Sequence, residues 1–318
     1  MTTYILRRLA HSAILLFAIA TVVFLMIHIL PGDPATAILG GEDRTPSQEQ
    51  IDQVREQLGL DRPLYVQYAQ WWINLAQLDL GTAFGTNRPV TQTLLVERLP
   101  RSLMIGIPSL IVAVALGIPL GIVGAQLRRT MWDPIISAVA LLGFSIPVFV
   151  IGLVMVLVFA VGLSWLPSGG YVSPLDDVTG FVRAATLPTL ALAMGPLAVV
   201  MRMTRSSVLE QMGLDYVRTA RAKGLAPYPV LLKHVLRNSL LPVVTVVGLQ
   251  LGSVFSGSVI VEFIFNWPGI GRVLLQAVIE RDYPVIQGVM LIVAAMFVII
   301  NLITDIIYGI LDPRIRYR

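Results

Sequence analysis

The chain contains no cysteine and few charged residues. Of its 318 residues, 13% are charged and 56% are hydrophobic, whereas about 25% of residues are charged in a typical soluble domain. The absence of cysteine excludes disulfides, thiolate metal sites and cysteine nucleophiles. Because so apolar a chain cannot cover itself with polar surface, lipid must solvate much of it.

Two further absences limit the chemistry of the chain. A phosphate-binding loop needs Gly-x4-Gly-Lys-Ser/Thr, but the only lysines, Lys223 and Lys233, follow Ala222 and Leu232. The chain therefore does not hydrolyse ATP itself. His11, His28 and His234 are far apart, and no group of His, Asp, Glu and Ser has catalytic spacing. We expect no metal, no bound cofactor, no nucleic-acid partner and no enzymatic activity.

Charge-free stretches predict six transmembrane helices in an all-α membrane protein. A helix needs about 20 mostly apolar residues to cross the hydrocarbon core. The stretches place the spans near 9–30, 102–127, 134–162, 185–203, 240–262 and 285–310. The first is too long for the core of a secretion signal, and no small-x-small cleavage pattern follows it, so we expect an uncleaved anchor.

The basic residues orient these spans. Cytoplasmic loops of membrane proteins carry an excess of Lys and Arg. With the amino terminus inside, the inner segments hold 14 of the 23 basic residues, among them Arg7, Arg8, Arg128, Arg129, Arg218, Arg221, Lys223 and Arg314. The short outer loops hold only Arg183, Arg272 and Arg281. We therefore expect a multi-pass protein of a bacterial or archaeal cytoplasmic membrane, with both termini cytoplasmic.

The middles of five of the predicted spans carry no acidic or basic side chain. Carriers driven by protons or ions place such side chains inside the bilayer, which makes an ATP-independent carrier less favoured without excluding it. Prolines and glycines recur within the second and third spans. They are typical of close helix packing, or alternatively of kinks beside a pathway at Pro108, Pro119 and Pro147.

Residues 31–101 form an outer loop with helical patterns. Thr45-Pro46-Ser47-Gln48 predicts a capped helix start, Ile51, Val54 and Leu58 form one apolar stripe, and Gly59 marks the end. A second helix is predicted from Pro63, with Tyr65, Tyr68, Trp71, Trp72 and Leu75 on an aromatic face. This loop is either a cap resting on lipid headgroups or a platform for a substrate-delivery protein.

The segment from Asp215 to Leu225 predicts a short basic helix between the fourth and fifth spans. Asp215 suits its amino end, basic residues fall in its last turn, and Gly224 suits a carboxyl-terminal cap. Composition alone allows this helix simply to rest on anionic lipid.

Several motifs together resemble one transporter family. They are Tyr4-Ile5-Leu6-Arg7-Arg8-Leu9, His28-x-x-Pro31-Gly32-Asp33-Pro34, Asp79-Leu80-Gly81, the segment from Asp215 to Leu225 followed by His234-x-Leu236-Arg237-Asn238-x-x-x-Pro242, Glu262-x4-Trp267-Pro268-Gly269-Ile270-Gly271, and Leu311-Asp312-Pro313-Arg314. In this order, over nearly the whole chain, they resemble the dipeptide, oligopeptide and nickel permease subunits of ABC importers. The Glu-Ala-Ala of ABC importers in general is Arg218-Thr219-Ala220 here, as in the peptide-type variant.

The resemblance implies a type I importer transmembrane domain with an extracytoplasmic helical insertion after the first span. The divisions expected are 1–98 for the first helix and outer loop, 99–312 for the transmembrane domain and 313–318 for a cytoplasmic tail. The implied partners are a homologous permease, two ATPase subunits that hydrolyse ATP with magnesium, and an extracytoplasmic binding protein. Nine residues are implied to form the ATPase-coupling loop: Asp215, Tyr216, Arg218, Thr219, Ala220, Arg221, Lys223, Gly224 and Leu225. Docking of the binding protein is assigned to Trp71, Trp72, Trp267, Pro268 and Gly269.

The implied function is to form half of a pathway for dipeptides or oligopeptides by alternating access. Nickel chelates or glutathione-like compounds are the alternative cargo. A carrier or channel working without ATP is the alternative from another class, and a membrane-bound enzyme is the least favoured.

Overall fold

The computed structural model describes residues 2–29, 47–58 and 60–311. Regular structure in these ranges is helical, apart from one isolated bridge between Thr82 and Pro89. The helices are α1 (Thr2–Ile29), α2 (Gln48–Leu58), α3 (Leu64–Ala76), α4 (Leu99–Gln126), α5 (Asp133–Ser145), α6 (Val148–Met155), α7 (Val178–Met212), α8 (Asp215–Ala222), α9 (Arg237–Ile264), α10 (Ile270–Glu280) and α11 (Tyr283–Leu311). Turns of π-helix precede α4 (Gln92–Arg98), follow α6 (Val156–Gly162) and precede α9 (Val230–Leu236).

Within the described residues, five helices are long and apolar enough to span a membrane, or six if α5 and α6 form one bent span. This agrees with the six predicted spans. The α5–α6 pair bends by 102° where Pro147 occupies the cap position of α6. By contrast, α4 continues without a break through Pro108 and Pro119.

The fourth span is longer than predicted. The helix runs Val178–Met212, 35 residues, whereas the charge-free stretch gave 185–203. Charged residues such as Arg183 and Arg205 end the apolar stretch but not the helix, because a helix can continue into water once its apolar part has crossed the lipid.

The chain divides into two compact units. Unit 1 holds Leu103–Trp267 and Ile300–Arg318 together with Met1–Ile5, and unit 2 holds Leu6–Ser102 and Pro268–Ile299. This grouping cuts across the predicted boundary at residues 98 and 99, because residues 268–299 group with the first part of the chain. The predicted tail, 313–318, lies outside the described residues.

In unit 1, α7 packs against α5, α6 and α9. One buried cluster lies near the start of α7 and the end of α9 and includes Leu187, Leu192, Val261, Phe265 and Trp267. Glycines of α4 allow close approach to α7: a Cβ at Gly121 would lie 2.6 Å from both the Met201 carbonyl oxygen and the Thr204 Cβ. These glycines therefore pack helices together, as small residues do in membrane bundles.

Unit 2 has its own apolar core. Val90 lies just before the π-helical turn Gln92–Arg98, and Leu94 lies within it. Both are buried against residues of α10 and α11. The other buried members are Ala83, Ile270, Ala277, Val285, Val289 and Ile292.

The Asp79-Leu80-Gly81 segment forms a tight turn in unit 2. Gly81 has a φ of +85°, a conformation that favours glycine, and its N–H donates to Asp79 Oδ1 at 2.9 Å. Thr91 Oγ1 accepts from the Leu80 N–H at 3.0 Å and donates to the Leu78 carbonyl at 2.6 Å. The turn is thus held by side chains at both of its ends.

Two helices form within the predicted loop 31–101, one of them with a different start from the predicted one. Helix α2 begins two residues later than a cap at Thr45 implies, because Ser47 is the cap. The Ser47 N–H donates to Gln50 Oε1 at 3.0 Å, and the Gln50 N–H donates to Ser47 Oγ at 3.4 Å. This pair is a capping box. Helix α3 follows Pro63 as predicted. Thr45, Pro46 and Gly59 lie outside the described residues, as do Pro31–Pro34 and Asp312–Arg314.

Candidate functional site

Helix α8 is attached to unit 1 by one apolar face. Val217 and Ala220, three residues apart and therefore on the same side of the helix, are buried. They join a cluster with Ala125, next to the last residue of α4, Val208 of α7 and Val235 of the π-helical turn before α9. Burial at two positions in so short a helix makes α8 part of a packed cluster rather than a helix tethered only by its ends.

The carboxyl end of α8 has the cap that the sequence predicts. Gly224 has a φ of +79°. Its N–H donates to the Arg221 carbonyl at 2.9 Å, and the Leu225 N–H donates to the Ala220 carbonyl at 3.4 Å. This pair of bonds is the Schellman motif, which requires a left-handed residue at the position of Gly224.

The opposite side of α8 is exposed and basic. Arg218, Arg221 and Lys223 are all exposed, and Arg218 pairs with Asp215 at 3.3 Å. Both members of that pair face water, with side-chain exposures of 74% and 92%, so the pair adds little stability. Leu225 is 44% exposed beside these cations. The surface therefore offers positive charge with an apolar residue at one end.

Tyr216 precedes the buried Val217 in α8, and its own side chain is 37% exposed. Its hydroxyl donates to Gln211 Oε1 at 2.7 Å and accepts from Asn238 Nδ2 at 3.3 Å. The carbonyl of His234 lies 3.3 Å from the same hydroxyl. The sequence places Tyr216 in the predicted ATPase-coupling loop but does not predict these hydrogen bonds, because its partners lie 5 and 22 residues away and no spacing pattern reveals them.

An ion pair in unit 1 joins α7 to the start of α5. Arg205 of α7 pairs with Asp133 at the start of α5, and Arg205 Nε donates to the Gly124 carbonyl of α4 at 3.2 Å. The second carboxylate oxygen of Asp133 accepts the Arg129 N–H at 3.1 Å. One guanidinium therefore connects α4, α5 and α7.

The aromatic face of α3 packs on α1 within unit 2. Trp72 stacks on Phe17 with ring centroids 5.0 Å apart, and Trp71 lies 5.5 Å from Phe24. Tyr68 OH also lies 2.8 Å from Thr21 Oγ1. Both tryptophans are half-buried, so much of the face proposed for docking is already engaged by the first span, while Tyr65 of the same helix is 75% exposed.

Trp267 lies in a core rather than on a surface. Its side chain is fully buried, with the rings of Tyr171 and Phe181 at 5.1 Å and 6.1 Å. The loop residue Gly170 donates its N–H to the Phe265 carbonyl at 2.8 Å, which holds this loop over the end of α9. The Trp267 side chain is thus not available to a docking protein in this structure.

Pro268 and Gly269 take part in backbone-directed contacts within unit 2. Arg98 Nη1 donates to the Pro268 carbonyl at 3.3 Å. Gly269 caps the start of α10, and the next N–H, of Ile270, donates to the buried Ser102 Oγ at 2.8 Å. Docking at these two residues stays a prediction.

The sequence matches a known family over most of its length. Residues 117–317 match the family described as the binding-protein-dependent transport system inner membrane component, and residues 1–106 match the amino-terminal family of the same membrane components. The chain belongs to this family. It is therefore an inner-membrane component of a transport system, as its resemblance predicted, and the spans, the loop carrying α8 and the outer helices are those of a transporter subunit.

Relatives match along the whole chain. The dipeptide transport system permease protein DppB of Escherichia coli K12 is 40% identical over 341 residues, covering 100% of both chains. A provisionally named peptide transport system permease protein of Brucella abortus strain 2308 is 43% identical over 317 residues, covering 100% of both chains.

The fold also matches a solved transporter. A chain from the inward-facing MetNI methionine ABC transporter, CY5 native crystal form, superposes with a TM-score of 0.58 at 20% identity. The match covers 69% of this chain and 96% of that chain. The likeness confirms the predicted fold, that of an ABC importer transmembrane domain.

Proposed function

We propose that this chain is a permease subunit of an ATP-driven importer of short peptides. The observation that carries the proposal is the full-length likeness to relatives named as peptide or dipeptide permeases. With a homologous second permease, it forms a pathway that opens alternately to the two sides of the membrane. Both termini are placed in the cytoplasm, in accord with the distribution of basic residues.

An external source of energy suits this chain. Moving a two-state pathway from 1:99 to 99:1 takes about 5.5 kcal/mol of differential binding, which a substrate held at modest affinity does not supply. In the proposal, two ATPase subunits hydrolyse ATP with magnesium and supply this energy. An extracytoplasmic binding protein delivers the peptide to the outer side, where α2 and α3 lie.

Helix α8 is the proposed receiver of the ATPase motion. Its Val217–Ala220 face is buried in a cluster with residues from the region of three spans, whereas Arg218, Arg221 and Lys223 point away from that cluster into solvent. A helix packed on one side and exposed on the other can contact a partner and pass its displacement to the spans. The coupling residues are those from Asp215 to Leu225 named above.

Reconstitution tests the proposal. Purified chain alone in liposomes is expected to take up no radiolabelled dialanine, whereas the chain with its second permease, ATPases and binding protein takes it up only with ATP. Uptake by the chain alone would favour a carrier without ATP. ATP-dependent uptake of a nickel–histidine chelate or of glutathione by the complete system, with no uptake of dialanine, would replace the peptide cargo.

A charge reversal tests the role of α8. The double variant Arg218→Glu with Arg221→Glu is expected to lose the ATPases on purification and to lose peptide-dependent ATP hydrolysis while still inserting in the membrane. A helix that rests on anionic lipid would lose only about 1 kcal/mol of membrane attraction per charge removed and would keep the ATPases. If the double variant transports at the wild-type rate, the coupling role is wrong.

A further inference from the structure

The hydroxyl of Tyr216 is the polar junction at which both ends of the inner loop meet. Gln211 belongs to the last turn of α7, and Asn238 belongs to the first turn of α9. Tyr216 OH bonds to both, at 2.7 Å and 3.3 Å. Tyr216 itself belongs to α8, so one oxygen atom connects the end of one span, the short helix and the start of the next span.

This hydroxyl acts both as a donor and as an acceptor. A phenolic O–H has one proton to donate and lone pairs that accept. The proton goes to Gln211 Oε1 at the shorter distance, and Asn238 Nδ2 donates to the oxygen. Asn238 Nδ2 also lies 3.5 Å from the His234 carbonyl, which connects the junction to the π-helical turn that leads into α9.

The junction complements the apolar attachment of α8. Contacts of Val217 and Ala220 are non-directional, so they resist separation of the helix from the cluster but permit it to slide or rotate. Hydrogen bonds depend strongly on angle and distance. The Tyr216 bonds therefore add a directional restraint on the register of α8 against α7 and α9.

We infer that Tyr216 is a positioning residue for coupling, which makes a displacement of α8 move α7 and α9 together. The inference rests on the proposed function, in which α8 receives the motion of the ATPases. Tyr216 need not contact an ATPase for this role, because it acts through its two partners within the chain. Loss of its hydroxyl lowers peptide uptake more than it lowers ATP hydrolysis.

The decisive variant is Tyr216→Phe, which removes the hydroxyl and keeps the ring. In the complete reconstituted transporter, the measured quantity is ATP hydrolysed per molecule of dialanine taken up. We expect uptake to fall about fivefold to tenfold and hydrolysis to fall by a smaller factor, so that more ATP is hydrolysed for each dialanine taken up, with the ATPases still recovered on purification. Tyr228→Phe is the matched control, because Tyr228 is a 69% exposed tyrosine of the same loop that makes no hydrogen bond with the described residues.

A second variant tests the junction itself. Asn238→Ala removes one partner of the Tyr216 hydroxyl. It is expected to raise the number of ATP molecules hydrolysed per molecule of dialanine taken up. Because both changes break one shared contact, the double variant Tyr216→Phe with Asn238→Ala should be little worse than the more severe single variant. If the effects of the two changes on this ratio add up in the double variant, Tyr216 and Asn238 do not act through a shared contact, and the proposed junction is wrong.

Other outcomes separate this inference from the proposed function. If Tyr216→Phe hydrolyses as much ATP per molecule of dialanine as wild type, the positioning role is wrong. Equal losses of hydrolysis and uptake would also overturn it, because they indicate a structural or docking role. The proposed function fails separately, if the assembled wild-type transporter shows no ATP-dependent uptake of dialanine.

Discussion

Arg205 and Asp133 form an ion pair that joins α7 to the start of α5. Their side chains are 26% and 23% exposed, so water screens the pair only in part. Because Arg205 also donates to the Gly124 carbonyl of α4, one guanidinium contacts α4, α5 and α7. Of these three helices, α4 and α7 also contribute residues to the cluster beneath α8, Ala125 and Val208.

Arg205→Ala is expected to lower the free energy of unfolding by about 1–3 kcal/mol, since it leaves a partly buried carboxylate with one partner fewer. Arg205→Lys should fall between this variant and wild type, because a lysine keeps the charge but cannot make both contacts. Titration of the purified subunit with SDS measures the effect. Arg202→Ala is the control, since exposed Arg202 forms no ion pair within the described ranges; an equal loss in both variants would contradict the prediction.

Gly224→Val is expected to distort the end of α8 and to reduce peptide-dependent ATP hydrolysis, whereas Gly224→Asn should retain most of it. The position has a φ of +79°, and a Cβ there would meet nothing within 4 Å. A clash of the added Cβ with neighbouring residues therefore plays no part, and the main cost is that of the left-handed backbone. The left-handed conformation costs about 1–2 kcal/mol for an ordinary residue and less for asparagine. Equal activity of the two variants would show that this cap has no role in coupling.

The sequence predicts those parts of the structure that depend on local patterns. The spans follow from apolar length, the start of α3 follows from Pro63, and the left-handed Gly224 follows from the end of a basic helix. The start of α2 was misplaced because Thr45 and Ser47 both suit a cap, and only the reciprocal bonds of Ser47 and Gln50 decide between them.

Contacts between distant residues could not be predicted in this way. Arg205 and Asp133 are 72 residues apart, and many arginines near the inner ends of spans could have paired with Asp133. Trp267 stands beside proline and glycine, which is typical of an exposed loop, yet Tyr171 and Phe181 cover it. In each case a second segment of the chain decides the environment.

Trp72→Ala is expected to weaken the packing of α3 on α1 by about 2–3 kcal/mol, less than truncation of a fully buried aromatic residue costs, because the ring is only half-buried. Tyr65→Ala, at an exposed position of the same helix, should change stability by less than about 0.5 kcal/mol. SDS titration of both variants measures the difference. Stimulation of ATP hydrolysis by the binding protein should fall in Trp72→Ala with basal hydrolysis retained. Unchanged stimulation would favour a cap on the lipid headgroups.

The absence of cysteine allows a direct test of topology. In intact spheroplasts, a membrane-impermeant maleimide should label Ser168→Cys, whereas Lys223→Cys should be labelled only after permeabilisation. Both positions are exposed, and wild type provides a background without thiols. The reverse pattern would contradict the cytoplasmic placement of α8 and of both termini.

Unit 2 has a consequence for how the protein is made. Its core joins Val90 and Leu94 to Ile270, Val289 and Ile292, residues separated by most of the chain. During translation, the early segment enters the membrane long before its packing partners leave the ribosome. The growing chain must therefore hold an apolar surface uncovered, among lipids or against an insertion factor, until nearly the last helix has been synthesised. A ribosome that stalls after Trp267 would release a chain in which unit 2 cannot close, and such a product should be recognised by membrane proteases.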